Sequence, residues 1–280
     1  MNTIVGMVIV VVTIAGGYLL EHGNLSVLMQ PAEFVIIFGA AAGAFIISSP
    51  GAVVKATIKD LKNIFSHGGS KESYIDLLLL IYELLSKARR EGLLSLEKDI
   101  ETPNESQIFL KHKKTFADEA VSRCLIENFR TLLMGVEPQQ LMDIVEVDLE
   151  VIKAEALLSA HSLAKVADGL PGLGIVAAVL GVVITMGKIS EPPEVLGHCI
   201  GAALVGTFIG VLACYGFVGP VAANLEHKAK EREVYFGIIR TALLYSESNP
   251  ALTIEAARRE IPISERPTFE ELDYLKKKAK

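Results

Sequence analysis

Residues 168–224 read DGLPGLGIVAAVLGVVITMGKISEPPEVLGHCIGAALVGTFIGVLACYGFVGPVAAN, two long apolar segments separated by a short polar loop that contains Pro192 and Pro193. The first segment, residues 169–187, carries no charge and has about the 20 residues that a helix needs to cross a bilayer. The second, residues 195–225, has no Asp, Glu, Lys or Arg. At about 1.5 Å per residue it would exceed a hydrocarbon core of about 30 Å. The stretch therefore predicts a membrane hairpin whose second helix protrudes from the membrane.

Small residues recur four positions apart along both apolar segments. Lipid supplies little hydrophobic force between helices, so close backbone packing through small side chains becomes the main attraction between them. We therefore expect these faces to pack against other helices in a tight assembly. The sets are Gly174 with Ala178, Ala177 with Gly181, Gly197 with Gly201, and the series Ala202, Gly206, Gly210 and Cys214.

The overall composition is typical of a membrane protein. Of 280 residues, 51% are hydrophobic, and the mean hydropathy of +0.42 is too high for an ordinary soluble domain. The net charge of -6 argues against nucleic acid as a partner. Three widely spaced cysteines and scattered histidines predict neither a disulfide framework nor a metal site, and the chain has no Walker motif. We expect no cofactor, no metal and no enzymatic activity.

Two further apolar blocks lie near the amino terminus, at residues 3–20 and 34–47. Glu33 and Ser48 bound the second block and leave it near the lower length limit of a spanning helix. Four spans put both termini on one side, and the excess of Lys and Arg in the segments on that side predicts that it is the cytoplasm. The expected fold is an all-α, polytopic membrane protein. Its expected domains are residues 1–52 (spans one and two), 53–168 (a cytoplasmic helical domain), 169–225 (spans three and four) and 226–280 (a cytoplasmic tail).

The middle segment shows helical periodicity. Residues 72–91 are apolar on most faces at their centre, which predicts a buried helix. Residues 115–136 carry apolar positions near a helical period, and residues 139–167 form a run without Gly or Pro. Residues 146–150 alternate like a strand, but their setting favours helix. This last helix leads into the third span, so cytoplasmic motion could pass into the membrane.

Four motifs carry a resemblance to a known family. They are SKARREGLLSLEKDIETPNESQIF (86–109), DGLPGLGIVAAVLGVV (168–183), VGTFIGVLACYGFVGPVA (205–222) and SERPTFEEL (264–272). Together with four spans and a large insert, they resemble the MotA family of flagellar motor stator subunits. TolQ and ExbB, the related envelope energisers, share the membrane core but have three spans and lack this form of the cytoplasmic motif. A TolQ/ExbB-like ion-channel subunit is therefore the alternative.

The resemblance implies a mechanism and a set of partners. MotA subunits form a pentameric ring in the bacterial inner membrane around MotB, whose single-span helix supplies an essential aspartate, and they drive the rotor switch protein FliG. The cores of the third and fourth spans hold no carboxylate, although membrane proton relays normally need an ionisable group at depth. We therefore expect the acid to come from another chain.

Two prolines are candidates for conformational coupling. Pro171 follows Asp168, a good N-cap, and a first-turn proline is by itself an ordinary helix starter. The resemblance instead implies that Pro171 corresponds to the family's functional proline. The Asp168–Pro171 junction would then act as a hinge. Pro220, inside the fourth apolar segment, predicts a kink, because proline removes a backbone hydrogen bond. The resemblance adds a hinge role there.

Two further residues bear on the ion pathway. Thr207 is the clearest hydroxyl in the fourth span. Either it hydrogen-bonds back to the carbonyl of Ala203, as Thr commonly does in helices, or it faces the partner's acidic helix, as the resemblance implies. Ala178 stands where the resemblance places a threonine in sodium-driven relatives. An alanine cannot coordinate a cation, which favours protons over sodium.

The cytoplasmic motif contains charged residues. Isolated surface charges are usually only solvated and contribute little to stability. The resemblance carries the rotor-contacting arginine onto Arg89 and the glutamate onto Glu97, with Arg90 as a further contributor. Two other classes of protein remain open. A secondary transporter would need related halves, which are not evident between residues 1–52 and 168–225. A purely structural scaffold would leave the charged motif without a role.

Overall fold

The computed structural model describes residues 2–65, 70–116 and 118–279, and in these ranges the chain is helical with no β-strand. Short 3₁₀ and π segments occupy Leu93–Leu96 and Ala213–Val218. The α-helices are α1 (Asn2–Leu20), α2 (Leu25–Leu28), α3 (Pro31–Ser48), α4 (Gly51–Lys62), α5 (Lys71–Glu91), α6 (Glu97–Glu101), α7 (Gln107–Lys111), α8 (Lys113–Phe116), α9 (Glu119–Leu133), α10 (Pro138–Met186), α11 (Pro193–Leu212), α12 (Gly219–Leu244), α13 (Pro250–Arg258) and α14 (Phe269–Ala279).

Four helical stretches are long and apolar enough to cross a membrane, which confirms the predicted all-α, four-span fold class. They are Thr3–Leu20, Leu25–Ser48, Pro138–Met186 and Pro193–Leu244. Large apolar side chains on α1, among them Val8, Ile9 and Val12, are more than half exposed within the chain. Such exposure is expected of a helix that faces lipid or another subunit rather than water.

Packing divides the chain into two compact units. The membrane unit comprises Met1–Ser66 and Glu155–His227, and the charged unit comprises His67–Ala154 and Lys228–Lys280. Helices α10 and α12 each contribute residues to both units. The membrane unit has a core of apolar side chains from α3, α10 and α11, with α3 packed along α11. Its buried members include Ile37, Ala41, Leu170, Ala177, Val205 and Ile209.

Glycines form a close contact between the third and fourth spans. A Cβ added at Gly174 would lie 2.8 Å from the Gly206 carbonyl oxygen and 3.0 Å from the Cα of Gly210. The backbones therefore meet with no room for a larger residue, as expected where small side chains mediate packing in lipid. Nothing in the described chain lies within 4 Å of a Cβ at Gly197 or Gly201, so packing at these two positions is not made within the chain and stays a prediction for the assembly.

The charged unit is built around α5, as the apolar centre of residues 72–91 predicts. Ser70 caps this helix, and its side chain and that of Ser73 form a reciprocal capping box. The leucines at 77, 78, 80, 84 and 85 are buried in one cluster with residues of α9, α10, α12 and α13. The predicted helices over 115–136 and 139–167 are also observed, although the first is divided between α8 and α9.

The carboxyl-terminal segment, which the sequence suggested would be a tail, is folded into the charged unit. Ile254, Ala257, Ile261 and Leu272 are buried in the same cluster as α5. Arg266 donates from Nε and Nη2 to the carbonyls of Ile261 and Arg259, which satisfies the backbone beyond α13. The SERPTFEEL motif is therefore part of the folded unit: Leu272 is buried in its core, and Arg266 binds backbone carbonyls after α13.

The junction before the third span differs from the expectation. Asp168 is not an N-cap and Pro171 does not start a helix, because α10 runs without a break from Pro138 to Met186. Pro171 is thus an interior proline, which removes the hydrogen bond that its N–H would donate to Ala167. Packing on both sides explains the continuity: Leu170 is buried, and a Cβ at Gly210 would lie 2.6 Å from its carbonyl oxygen. Neighbouring helices commonly stabilise such prolines in membranes.

Pro220 lies immediately after a local widening of the helix. Residues Ala213–Val218 form a π-helix, and the Gly219 N–H donates to the carbonyl of Cys214, five residues earlier. An interior proline would collide with the carbonyl four residues before it in a regular helix. The π segment changes that local geometry, so the interruption at Pro220 takes the form of a π-bulge.

Candidate functional site

The candidate ion-path residues lie at the crossing of α10 and α11. Ala178 is only 9% exposed, and its backbone nitrogen would lie 3.1 Å from a Cβ added at Gly206. Thr207 follows Gly206 on α11 and is half-buried. The structure records no hydrogen bond from Thr207 to Ala203 or to any other described residue, so the local alternative for this hydroxyl is not used. Ala178 and the segment containing Thr207 are thus brought together, whereas Pro171 lies elsewhere on α10 and Pro220 lies in α12.

Glu33 is a polar residue at this crossing that the sequence alone marks only as the end of a span. Its side chain lies in the first turn of α3, yet the residue is 8% exposed. A Cβ added at Gly206 would lie 2.6 Å from Glu33 Oε2, and one added at Gly181 would lie 3.6 Å from Glu33 Oε1. The carboxyl group therefore reaches into the contact between the third and fourth spans. The signal in the sequence is an acidic residue at the edge of an apolar block.

Arg89 and Arg90 lie in the last turn of α5 and Glu97 lies in the first turn of α6. All three residues are exposed, and none forms an ion pair with another residue of the described chain. Gly92 ends α5 in a turn with φ +89°, a conformation that L side chains rarely adopt. The turn thus places all three charges on the surface of one polar segment.

Ion pairs fix the backbone on which these charges are carried. Lys87 Nζ lies 2.6 Å from Asp99 Oδ2, and Ser106 donates to the other oxygen of Asp99 at 2.5 Å. Arg130 donates twice to Glu101, at 2.7 and 2.9 Å. The hydrogen bond and charge of Arg130 hold the pKa of Glu101 below its usual value. The ion pairs hold the segment in place, while Arg89, Arg90 and Glu97 remain exposed and unpaired among the described residues. Such charges are suited to contact a partner protein of complementary charge.

A buried polar cluster supports the same unit from within. Asp76 accepts a hydrogen bond from the backbone N–H of Thr115 at 2.9 Å, another from its hydroxyl at 3.0 Å, and lies 2.9 Å from His112 Nδ1. Burial acts to raise the pKa of Asp76, but the hydrogen bonds from His112 and Thr115 and the charge of His112 bring it below its usual value. Within the ranges that the structure describes, no group of three His, Cys, Asp or Glu side chains could hold a metal ion.

Four candidate spans and an all-helical fold define a class of protein, a polytopic helical membrane protein. Residues 114–236 match the profile of the MotA/TolQ/ExbB proton channel family, and residues 4–92 match the profile described as motility protein A, N-terminal. Motility protein A of Escherichia coli (strain K12) is 39% identical over 277 residues, which cover 98% of this chain and 94% of that protein. The chain belongs to the motility protein A family.

Other relatives and solved structures agree. Chemotaxis protein LafT of Vibrio parahaemolyticus is 36% identical over 283 residues, covering 98% of this chain and 97% of that protein. The structure of C. jejuni MotAB has a TM-score of 0.79 at 23% identity and covers 96% of this chain and 98% of that chain. The flagellar MotAB stator complex from Bacillus subtilis has a TM-score of 0.73 at 24% identity, covering 97% and 100% respectively. These two structures share the fold.

Proposed function

We propose that this chain is a stator subunit of the bacterial flagellar motor that forms, with a MotB-like partner, an ion channel converting ion-motive force into torque. The observation that carries this proposal is the 39% identity to a motility protein A along 98% of the chain. Four candidate spans and the match to the motility protein A N-terminal profile favour this function over a TolQ/ExbB-like energising subunit. The role requires no enzymatic chemistry and no cofactor.

The ion is a proton and its pathway runs along the α10–α11 crossing. Ala178 offers no side-chain oxygen to a sodium ion, which prefers oxygen ligands. The unbonded hydroxyl of Thr207 is available to face the acidic helix of the partner. Protonation of the partner's aspartate changes the subunit interface that it prefers, and a closed pentameric ring then steps around it. Pro171 and Pro220 transmit that step along their helices.

The charged unit meets the rotor. Arg89, Arg90 and Glu97 present both signs of charge on a supported surface, suited to complementary charges on FliG. The proposed location is the bacterial inner membrane with both termini cytoplasmic, because Lys55, Lys59 and Lys62 follow the second span. The proposed organisation keeps residues 1–52 and 169–225 as the spanning pairs and residues 53–168 as cytoplasmic.

Reconstitution tests the proposal. We expect liposomes with this chain alone to show no proton flux, because its third and fourth spans supply no acid, and liposomes with the chain and its MotB-like partner to conduct. Replacing the partner's intramembrane aspartate by asparagine is the matched control and should abolish the flux. Flux that is equal with and without the partner would refute the two-component channel.

A further inference from the structure

Glu33 has none of the interactions that normally retain a buried acid. Its Oε2 atom is inaccessible and without a hydrogen-bond partner, and no ion pair joins it to any described residue. Glu33 stands at the third position of α3, where a glutamate often bonds back to the N-cap N–H. It does not do so, and the N-cap Gln30 makes no side-chain capping bond either. Helix capping therefore does not explain the residue.

The surroundings of the Glu33 carboxyl are apolar and small. They are formed by Ala177, Ala178 and Gly181 of α10 and by Ala203 and Gly206 of α11. A charged carboxylate without a counter-ion is strongly disfavoured in such a place, whereas a protonated carboxyl is tolerated. Glycine at 206 is the residue that leaves room for the acid, since a Cβ there would lie 2.6 Å from Glu33 Oε2.

No other ionisable group of the adjoining helices shares this space. None of them forms a hydrogen bond or an ion pair with Glu33, and all are exposed. The acidic, basic and imidazole groups of α1, of residues 168–186 of α10, of α11 and of their adjoining loops are Glu21, His22, Asp168, Lys188, Glu191, Glu194 and His198. A change in the protonation of Glu33 is therefore not compensated by a neighbouring side chain of the same subunit.

We infer that Glu33 is a proton-binding site that this chain itself contributes to the conduction path, beside Ala178 and the segment of Thr207. This inference rests on the proposed channel function and on its topology, in which the α1–α3 loop is on the outer side. The Glu33 carboxylate takes up a proton from water on that side. The carboxyl then releases it through the crossing to the ionised acid of the partner and returns to the carboxylate, so charge and protons balance.

Proton flux through the complex tests the relay. The complex with the MotB-like partner is reconstituted in liposomes that contain a pH-sensitive dye, and a potassium diffusion potential drives the protons. Glu33→Gln preserves size and resembles the protonated form but cannot release a proton. We expect it to lower the flux by about tenfold or more, and we expect Glu33→Asp, which can still titrate, to retain more flux than Gln. Glu21→Gln, at an exposed acid before the same loop, is the matched control and should conduct normally.

The outcomes separate the relay from the channel. Wild-type flux in Glu33→Gln overturns the relay and leaves the channel function intact, as does equal loss in Gln and Asp variants that assemble normally. A wild-type complex with no flux refutes the proposed channel and the relay with it. Assembly of every variant is checked by size-exclusion chromatography of the complex.

Infrared spectroscopy gives a readout that does not depend on conduction. The wild-type complex should show the carbonyl band of a protonated carboxyl that disappears reversibly as the pH is raised. The band should shift in Glu33→Asp and be missing in Glu33→Gln. A spectrum that is the same in the wild type and in Glu33→Asp at every pH overturns the inference, and this comparison decides the question if Glu33→Gln does not assemble.

Discussion

The carboxyl group of Glu33 occupies the space next to Gly206 that any larger residue at 206 would need. A Cβ at Gly206 would lie 2.6 Å from Glu33 Oε2, 3.1 Å from the Cβ of Ala177 and 3.1 Å from the nitrogen of Ala178. Nothing in the described chain lies within 4 Å of a Cβ at Gly201, which stands five residues earlier on α11. The position of the Glu33 carboxyl on α3 therefore requires a glycine at position 206 on α11.

Gly206→Ala should therefore lower stability although alanine is the better helix former. Alanine stabilises a helix by up to about 1 kcal/mol over glycine, but overpacking at a tight contact costs about 1–3 kcal/mol. We expect the thermal unfolding temperature of the purified protein in detergent to fall. Gly201→Ala, on the same helix, is the control and should leave that temperature unchanged or raise it.

A double substitution tests whether Glu33 is the reason. In Glu33→Ala/Gly206→Ala the acid no longer fills the space, so the two effects should not add and a coupling of about 1 kcal/mol is expected. Strict additivity of the two single effects would show that Ala177 and the backbone of Ala178, rather than Glu33, set the size limit at 206.

The sequence predicted the membrane architecture because apolar length is a local property. The four spans, the hairpin at 168–224 and the buried helix at 72–91 all follow from it and are observed. The role of Glu33 could not be read in the same way. A charge at the edge of an apolar block marks the end of a span when only the sequence is considered, and its burial arises from the packing of α3 against α11.

The start of the third span was predicted wrongly from capping residues, again because tertiary packing is not visible in the sequence. Asp168 and Pro171 have the spacing of an N-cap and a first-turn proline, yet α10 continues through both residues. The close contact of Leu170 and Gly174 with Gly210 supports the helix there, and tertiary packing of this kind outweighs local preference. The roles assigned to Arg89, Arg90, Glu97, Thr207, Ala178 and the two prolines stay predictions.

Acidification should destabilise the charged unit through Asp76. Its folded pKa is lowered because the hydrogen bonds and charge at His112 and Thr115 outweigh burial, and its unfolded value is about 3.9. The stability that the ionised carboxylate contributes is thus fully present above about pH 4 and is lost as the pH falls through the folded pKa. We expect the free energy of unfolding, followed by circular dichroism, to decline in that window and to decline less in Asp76→Asn. Glu105→Gln, at an exposed acid without an ion pair, should keep the wild-type profile.

Charge reversal at Arg89 or Glu97 should lower motor torque without affecting the fold. Both side chains are exposed and unpaired within the described chain, so Arg89→Glu and Glu97→Lys remove no internal contact. We expect slower rotation of tethered cells at normal membrane levels and normal ring assembly. The comparison is Glu101→Lys, which breaks the twofold contact with Arg130 and should disturb the segment itself. Loss of the ring in Glu97→Lys would instead assign that residue to a subunit interface.

Pro171→Ala is expected to stabilise the protein and impair the motor. Pro171 lies inside α10, so alanine restores an N–H that can donate to Ala167 and removes a ring that crowds the preceding turn. An interior proline costs a helix about 3 kcal/mol relative to alanine, so the unfolding temperature should rise by an amount that packing around Leu170 reduces. If the weakened turn transmits motion along α10, the same substitution should sharply reduce rotation while ring assembly and partner binding persist.

A second proline provides the matched comparison. Pro193 stands at the first position of α11, where the missing N–H has no partner within the helix in any case. Pro193→Ala should therefore change neither the unfolding temperature nor the swimming speed. Normal motility in Pro171→Ala together with a raised unfolding temperature would show that the missing hydrogen bond at 171 has no role in transmitting motion along α10. A fall in both would mean that the proline ring itself packs in the assembled ring, because only lost contacts could then offset the restored hydrogen bond.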